Sequence, residues 1–319
     1  MITIALTPNR LAALRSGSVI VPDQPAVFEI AGPGALTCMQ GLLTNDLAAS
    51  GDRSVVYGAL LTPKGMIIVD AWVLRLGDRF VMIADRAGRA ATSELFKRSL
   101  PPRLALVTDR TEAWEVLWLI GPKTEAVAKA AGVLGHLAPG AVTEDEVLVA
   151  RPKQALAPFQ LLVLAEPGGL APIAERLVKA GGTIGTRDDL YASRVLVGWP
   201  SLGREIDERT LPQEARFEEI EGVSYTKGCY TGQETVARVH FRGHPNRLLR
   251  GLTILGAGPQ PDGPIQAGGR DVGFIRSAIS LPDRVLALSA IRREVAPGDQ
   301  VMVGDRSATV VALPFDGAA

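Results

Sequence analysis

Three apolar runs that follow one another closely constrain the fold of this 319-residue chain more than any other feature. The runs cover residues 55–61, 66–76 and 79–84, and short turns that contain Gly65 and Gly77 separate them. Apolar runs of this length joined by glycine turns are typical of consecutive antiparallel strands. The segment therefore predicts a β-meander, which must cover its apolar faces with other elements.

Strand and helix patterns alternate on both sides of the meander. Strands are predicted at residues 26–31, 113–120, 144–150 and 159–165, and helices at 88–99, 122–131 and 169–180. Helices interleaved with antiparallel hairpins indicate the α+β class. From about residue 245 helical patterns disappear and short β-type runs alternate with Gly, Pro and Asp turns, which predicts a C-terminal β-barrel over residues 245–319.

Composition restricts the class of protein. Apolar residues make up 47% and charged residues 21%, and 34 basic side chains balance 34 acidic ones, so no global field favours nucleic acid or an anionic membrane. No apolar run approaches the roughly 20 residues of a membrane helix, and the first 25 residues show no secretion signal. Only two cysteines are present, which fits a reducing compartment. We expect a cytoplasmic protein, or a mitochondrial matrix protein if the source is eukaryotic.

The segment Lys-Gly-Cys-Tyr-Thr-Gly-Gln-Glu at residues 227–234 concentrates the candidate chemistry. Its two glycines predict a turn that leaves the thiol of Cys229 accessible. Thr231 and Glu234 have the spacing of a capping box, which predicts a helix that begins just after the cysteine. A helix N-terminus and Lys227 both favour a thiolate, the reactive form of cysteine. The alternative is that Cys229 is an ordinary small residue in a turn.

Several polar residues are candidates for ligand binding, and some of them also have a structural interpretation. Asn45 and Asp46 either line a ligand site or close the preceding helix in a turn. Arg194 either holds a carboxylate or carbonyl groups, or is solvated. Gln213 and Glu214 offer the donor and acceptor groups that an amide-like pterin edge requires.

Metal binding is a weaker hypothesis. His240 and His244 are four residues apart and Cys229 adds a possible third ligand, but Gly243 interrupts a continuous helix. Cys38 lies among apolar residues of a predicted helix and is expected to be structural. We therefore predict no permanently held metal.

The motif at 227–234, followed by Val-Ala-Arg at 236–238 and Arg-Gly at 242–243, resembles the signature of the YgfZ-type family. These proteins are relatives of the aminomethyltransferase, or T-protein, of the glycine cleavage system. Further segments extend the resemblance over nearly the whole chain: residues 41–46, 61–65, 194, 198–200, 211–215 and 273–277.

The resemblance implies three domains in a ring around a central channel, where tetrahydrofolate binds and which the signature cysteine faces. It also implies a role in making or maintaining iron-sulfur clusters of client proteins. The balanced charge and the lack of a membrane-length apolar run separately predict no membrane partner and no dedicated nucleic-acid partner. Because the chain lacks the four thiolates that usually hold a cluster, we expect it to act on clusters rather than store one. The expected chemical residues are Cys229 and Lys227, and the expected folate-binding residues are Asn45, Asp46, Arg194, Gln213, Glu214, Tyr230, Gln233 and Glu234.

The predicted domains are residues 1–50 with about 140–244, which carry the cysteine motif, then about 51–139, and the barrel. The chain departs from T-proteins at an acidic pair that supplies their catalytic carboxylate, because the matching positions here are Val69 and Asp70. It also has Leu196 and Val197 where T-proteins have an acid. Whether the chain is an enzyme stays open, and the alternative function is a folate-dependent aminomethyl or methyl transferase, or a demethylase, acting on a small amine.

Overall fold

The computed structural model describes residues 3–256, 258 and 263–315, whose strands form three sheets. The strands are β1 (Thr3–Ala5), β2 (Val19–Asp23), β3 (Ala26–Ala31), β4 (Ser54–Leu61), β5 (Ile67–Leu76), β6 (Arg79–Ala84), β7 (Leu106–Asp109), β8 (Glu115–Ile120), β9 (Val142–Glu144), β10 (Leu148–Ala150), β11 (Leu161–Ala165), β12 (Thr183–Ile184), β13 (Arg247–Leu255), β14 (Ile265–Ala267), β15 (Arg270–Ser280), β16 (Arg284–Arg292), β17 (Gln300–Val303) and β18 (Arg306–Val311). The helices are α1 (Pro8–Ser16), α2 (Ala35–Gln40), α3 (Arg89–Ser99), α4 (Thr124–Ala130), α5 (Leu170–Lys179), α6 (Arg187–Val197) and α7 (Gln233–Arg242), with 3₁₀ turns at Arg86–Gly88 and Pro212–Ala215.

The predicted meander forms the centre of a five-stranded antiparallel sheet in the order β4-β5-β6-β3-β7. Gly65 and Gly77 take left-handed backbone angles in its two turns, with φ of 87° and 62°. Side chains of β5 alternate between faces. Val69 enters the core beneath α2 and α3, whereas Asp70 points to the opposite side, where the remaining elements pack.

A second sheet has six strands in the order β12-β2-β8-β11-β10-β9. Helices α4 and α5 bury their apolar residues against one face of it. The strand pairing does not follow the predicted domain division at two places, because β3 joins the meander sheet and β8 joins the second sheet. The domain boundaries themselves stay a prediction.

The C-terminal residues form the predicted barrel. Six strands, β13 to β18, close on themselves because β15 pairs with both β14 and β16. Strand β1 pairs in parallel with the last three residues of β15, beyond the residues that pair with β14. Closure satisfies the edge hydrogen bonds that an open sheet would expose, and the barrel has its own apolar core.

Aromatic rings join the sheets. Tyr57 of β4 lies 4.9 Å from Trp72 and 4.7 Å from Trp199, measured between ring centroids. Trp72 also lies 5.0 Å from Phe159, which contacts Trp118 of the second sheet. Such pairs bury large apolar areas. Helix α6 packs against β2 on one side and β15 and β16 on the other, so it links the second sheet to the barrel.

No helix in the described ranges is long and apolar enough to cross a membrane.

Candidate functional site

Three segments that carry the resemblance, far apart in the chain, meet in one place. The N–H of Thr231 donates to the carbonyl of Gly41, and the N–H of Ser224 donates to the carbonyl of Thr44, each at 3.0 Å. The turn at Gly65 is so close to α7 that a Cβ atom on Gly65 would lie 2.9 Å from the Cβ of Thr235. The cysteine motif is therefore docked on the loop after α2 and on the β4–β5 turn.

Lys227 fastens the cysteine motif to the loop after α2. Its buried ammonium donates to the carbonyl oxygens of Gln40, Leu43 and Asn45 at 2.8, 2.7 and 2.8 Å. Burial lowers the pKa of Lys227 to about 8, although the nearby Asp46 carboxylate opposes this shift. Because its ammonium donates to three carbonyl oxygens, Lys227 has a structural role: it holds the cysteine motif to the loop after α2. Its expected effect on the Cys229 thiol stays a prediction.

Asn45 and Asp46 hold the same loop. The amide of Asn45 donates to the carbonyls of Tyr57 and Glu221 at 2.8 and 2.7 Å. Asp46 Oδ1 accepts from the side chain of Gln40 and from two backbone N–H groups that follow it. Burial alone would raise the pKa of Asp46, but these hydrogen bonds outweigh it and hold the pKa below its ordinary value. Asn45 and Asp46 therefore make the turn contacts expected of residues that close the preceding helix, which is one of the two interpretations of the sequence.

Cys229 is exposed, as the glycines of the motif predict, and it forms no disulfide. Helix α7 begins at Gln233, close to the predicted start. The predicted capping box is wrong, because Gly232 is the N-cap and no side chain caps the helix. Gly232 has φ of 84°, a left-handed angle that directs the chain into α7 and turns Thr231 toward the loop at Gly41.

The other expected folate-binding residues of this region have structural contacts. Gln213 donates to the carbonyl of Val236 at 2.8 Å, and Glu214 accepts from the N–H of Leu211 at 3.1 Å. The buried Tyr230 ring lies 5.2 Å from the Lys227 ammonium, and burial raises the pKa of Tyr230 to about 12. Gln233 and Glu234 stand in the first turn of α7.

The histidine pair is not placed on one helix. His240 belongs to α7, whereas His244 follows the end of the helix. His240 Nδ1 lies 2.9 Å from a carboxylate oxygen of Glu218, and its ring stacks on Tyr225. Within the described ranges, no cluster of three His, Cys, Asp or Glu side chains is suited to hold a metal ion.

A separate cavity of about 270 Å³ opens where β5, α6 and the segment after α6 meet. Asp70 lines it and is 5% exposed. Its Oδ2 accepts from the Tyr57 hydroxyl at 2.9 Å, whereas its Oδ1 is buried without a partner in the structure. Burial raises the pKa of Asp70, and the Arg194 guanidinium and the Tyr57 hydroxyl oppose the rise. An orphaned carboxylate oxygen in a cavity is a candidate ligand acceptor.

Arg194 lies between two buried acids. It lowers the pKa values of Asp70 and Glu205, both of which burial raises. Within the described residues, its guanidinium makes one long hydrogen bond, 3.4 Å to the carbonyl of Pro200. Arg204 lies 4.2 Å above the ring of Tyr191, and both line the cavity. The cavity therefore combines a carboxylate, guanidinium groups and aromatic walls that include Trp72 and Trp118.

The expected site residues thus fall into two groups. Of the ten expected site residues, only Arg194 lines the cavity, so Cys229 lies outside it. Most of the others surround the docked cysteine motif. Sequence reasoning missed Tyr191, Arg204 and Glu205, because nothing local distinguishes them. Asp70 had a signal, since a single acid in an apolar strand run is often buried for a reason.

Asp70→Asn is expected to stabilise the protein by about 1–2 kcal/mol at pH 7, because it removes a charge from a buried site. The folded state holds the Asp70 proton to higher pH than the unfolded state does, so wild-type stability falls as pH rises through the raised pKa. The advantage of the variant should shrink at low pH. Urea unfolding at several pH values measures it, with Asp188→Asn, an exposed residue of the same cavity, as control. A destabilised Asp70→Asn would show that the attraction of Arg194 outweighs burial.

Comparison with known proteins gives a consistent result. The sequence model of the GCVT N-terminal domain family matches residues 17–135. An aminomethyltransferase of Rubrobacter xylanophilus is 27% identical over 97% of this chain and 87% of its own length. The human mitochondrial iron-sulfur cluster assembly factor IBA57 is 28% identical over 79% of this chain and 75% of its own length.

A third relative, the tRNA-modifying protein YgfZ of Enterobacter sp., is 25% identical over 93% of this chain and 92% of its own length. Among solved structures, the glycine cleavage aminomethyltransferase T of Bartonella henselae superposes with a TM-score of 0.83 over 98% of this chain and 91% of that one, at 21% identity. The predicted fold class, α+β of the T-protein type with a C-terminal barrel, is confirmed.

Proposed function

We propose that this chain, which is similar to YgfZ and to aminomethyltransferases, is a tetrahydrofolate-binding accessory factor for iron-sulfur clusters. In this proposal Cys229 is the reactive thiol in assembly or repair of clusters in client enzymes. The observation that supports it most is the exposed Cys229 on a rigidly docked turn. A fold that needed only a small apolar residue would not leave this thiol in solvent.

The docking of the motif supports a chemical role. Lys227 and Gly232 are both used to hold the turn against the loop after α2 and the β4–β5 turn. Reactive groups need a supported and reproducible position. The thiol can then lose its proton and coordinate a cluster iron transiently, a role that needs thiolate character and access.

The cavity at Asp70 suits the pterin ring of tetrahydrofolate. The unpartnered Asp70 Oδ1 can accept from an amide-like or amino N–H, and Arg194 can donate to a ring oxygen. Trp72 and Trp118 provide aromatic wall surface. Tetrahydrofolate, when bound, supplies a carrier for a one-carbon unit. Its larger aminobenzoyl-glutamate part would extend beyond a cavity of about 270 Å³.

The second candidate function is a folate-dependent aminomethyl or methyl transferase, or demethylase. Asp70 favours it, because a buried carboxyl with a raised pKa beside a guanidinium can accept or hold a proton. The relatives named as aminomethyltransferases also favour it. Turnover of a methylated amine in the presence of tetrahydrofolate would distinguish this function from the first.

In cells that lack the protein, wild type is expected to restore the activity of cluster-containing enzymes, and Cys229→Ala to restore less than a tenth of it at matched protein level. Cys38→Ala, the other free cysteine, is the control and should rescue fully. Rescue by Cys229→Ala equal to wild type would remove the thiol from the proposal. Failure of wild type to rescue would favour the transferase. Quenching of Trp72 and Trp118 fluorescence by tetrahydrofolate tests the cavity independently.

A further inference from the structure

Helix α7, which follows the cysteine motif directly, is contacted on only one side of its second half by the residues that the structure describes. Val236 is the only fully buried residue of its ten. The first half is attached, since the carbonyl of Val236 accepts from Gln213 and Thr235 packs on Gly65. A surface helix normally buries an apolar stripe along its whole length. The second half of α7 therefore presents a side that no described residue covers.

That side, which we call the α7 face, consists of Arg238, Phe241 and Arg242. The spacing of three and four residues places all three on one side of the helix. The Phe241 side chain is 67% exposed. Neither guanidinium takes part in an ion pair or hydrogen bond with any residue that the structure describes. An exposed phenylalanine between two free arginines has the composition of an interface centre.

The base of the α7 face is rigid. Glu218 accepts from the Tyr225 hydroxyl at 2.5 Å and lies 2.9 Å from His240 Nδ1. The rings of Tyr225 and His240 stack at 3.7 Å between centroids, and Phe241 stands nearly perpendicular to His240 at 4.6 Å. Phe241 is therefore held in place before any partner arrives, which lowers the entropy cost of binding.

We propose that the α7 face docks an acidic protein surface with an apolar pocket, and that this partner is the client to which Cys229 is presented. The proposal rests on the proposed function. Phe241 fills the pocket, and Arg238 and Arg242 pair with carboxylates around it. Glu234, one turn before Arg238 on α7, and Glu218, which contacts His240, make the surroundings mixed in charge, which disfavours the phosphate backbone of a nucleic acid.

The geometry links docking to the thiol. Phe241 follows the first residue of α7 by eight positions, or about 12 Å along the helix axis. A standard interface covers about 800 Å² on each partner, a disc of radius about 16 Å. A partner centred on Phe241 would therefore reach the N-terminus of α7, which begins four residues after Cys229.

The test uses Phe241→Ala and the double variant Arg238→Glu, Arg242→Glu in the full chain. The control is Leu106→Ala, a comparably exposed apolar residue on β7 at 60% exposure. We expect both α7 variants to lower rescue of cluster-enzyme activity at least fivefold, and Leu106→Ala to rescue fully. Binding to a purified [4Fe-4S] dehydratase whose activity depends on this protein should weaken at least tenfold. Alkylation of Cys229 by iodoacetamide and tetrahydrofolate binding should stay unchanged.

Full rescue by both α7 variants would overturn the docking proposal and leave the proposed function intact. Failure of wild type to rescue would instead remove the proposed function, and the docking proposal with it. Binding of total tRNA by the wild-type protein that falls with salt and is lost in the double arginine variant would also overturn the proposal, because the face would then serve RNA.

Discussion

Gly232→Ala is expected to destabilise the protein by about 3 kcal/mol and to abolish rescue of cluster-enzyme activity. Gly232 has φ of 84°, which costs an alanine about 1–2 kcal/mol. A Cβ atom there would also lie 2.6 Å from the carbonyl oxygen of Thr62 and 3.0 Å from the Cβ of Leu61. Because the obstacle is backbone of the β4–β5 turn, the motif must move away from it. Urea unfolding measures the loss.

Gly228→Ala is the matched control within the same motif. Gly228 has no left-handed angle, and a Cβ atom on it would meet nothing within 4 Å. We expect its free energy of unfolding to stay within about 0.5 kcal/mol of wild type. Equal effects of the two substitutions would show that the docking of α7 on the β4–β5 turn does not depend on Gly232.

Lys227→Met is expected to destabilise the protein by about 2–3 kcal/mol at pH 7. Methionine keeps the length of the side chain but leaves the carbonyls of Gln40, Leu43 and Asn45 without their shared donor. Each buried carbonyl that loses its donor costs about 1–3 kcal/mol. The substitution also removes the desolvation penalty of the partly buried ammonium, which offsets part of this destabilisation. The loop after α2 and the cysteine motif should separate, so Cys229 should also lose function.

The deficit of Lys227→Met should widen as pH rises above about 8. The pKa of Lys227 is about 8 in the folded protein, against an ordinary value of 10.5. Between these values the unfolded chain binds more protons than the folded one, so wild-type stability gains as pH rises. Lys64→Met, an exposed lysine of the neighbouring turn, is the control and should show neither effect. A deficit independent of pH between 8 and 10 would contradict the shifted pKa.

Regular elements were predictable where apolar periodicity was strong. The meander of β4, β5 and β6 and the helices α3, α4 and α5 lie within a few residues of their predicted positions. The C-terminal barrel was predicted as a barrel, but the order of its strands was not, because strand order depends on pairings between residues distant in sequence. The capping box at Thr231 failed because a glycine with a left-handed angle took the N-cap position.

The accessible thiol at Cys229 and the start of α7 follow from the motif itself, since glycine turns and helix signals act over a few residues. Lys227 shows the limit of such reasoning. Its position two residues before Cys229 suggested that it acts on the thiol. Its ammonium instead contacts carbonyl groups of residues 184 and 187 positions earlier in the chain. The cavity around Asp70 likewise joins side chains from β5, α6 and the segment after α6. Local sequence sets backbone conformation, whereas packing of distant segments selects which polar groups are buried together, and that selection leaves no local pattern.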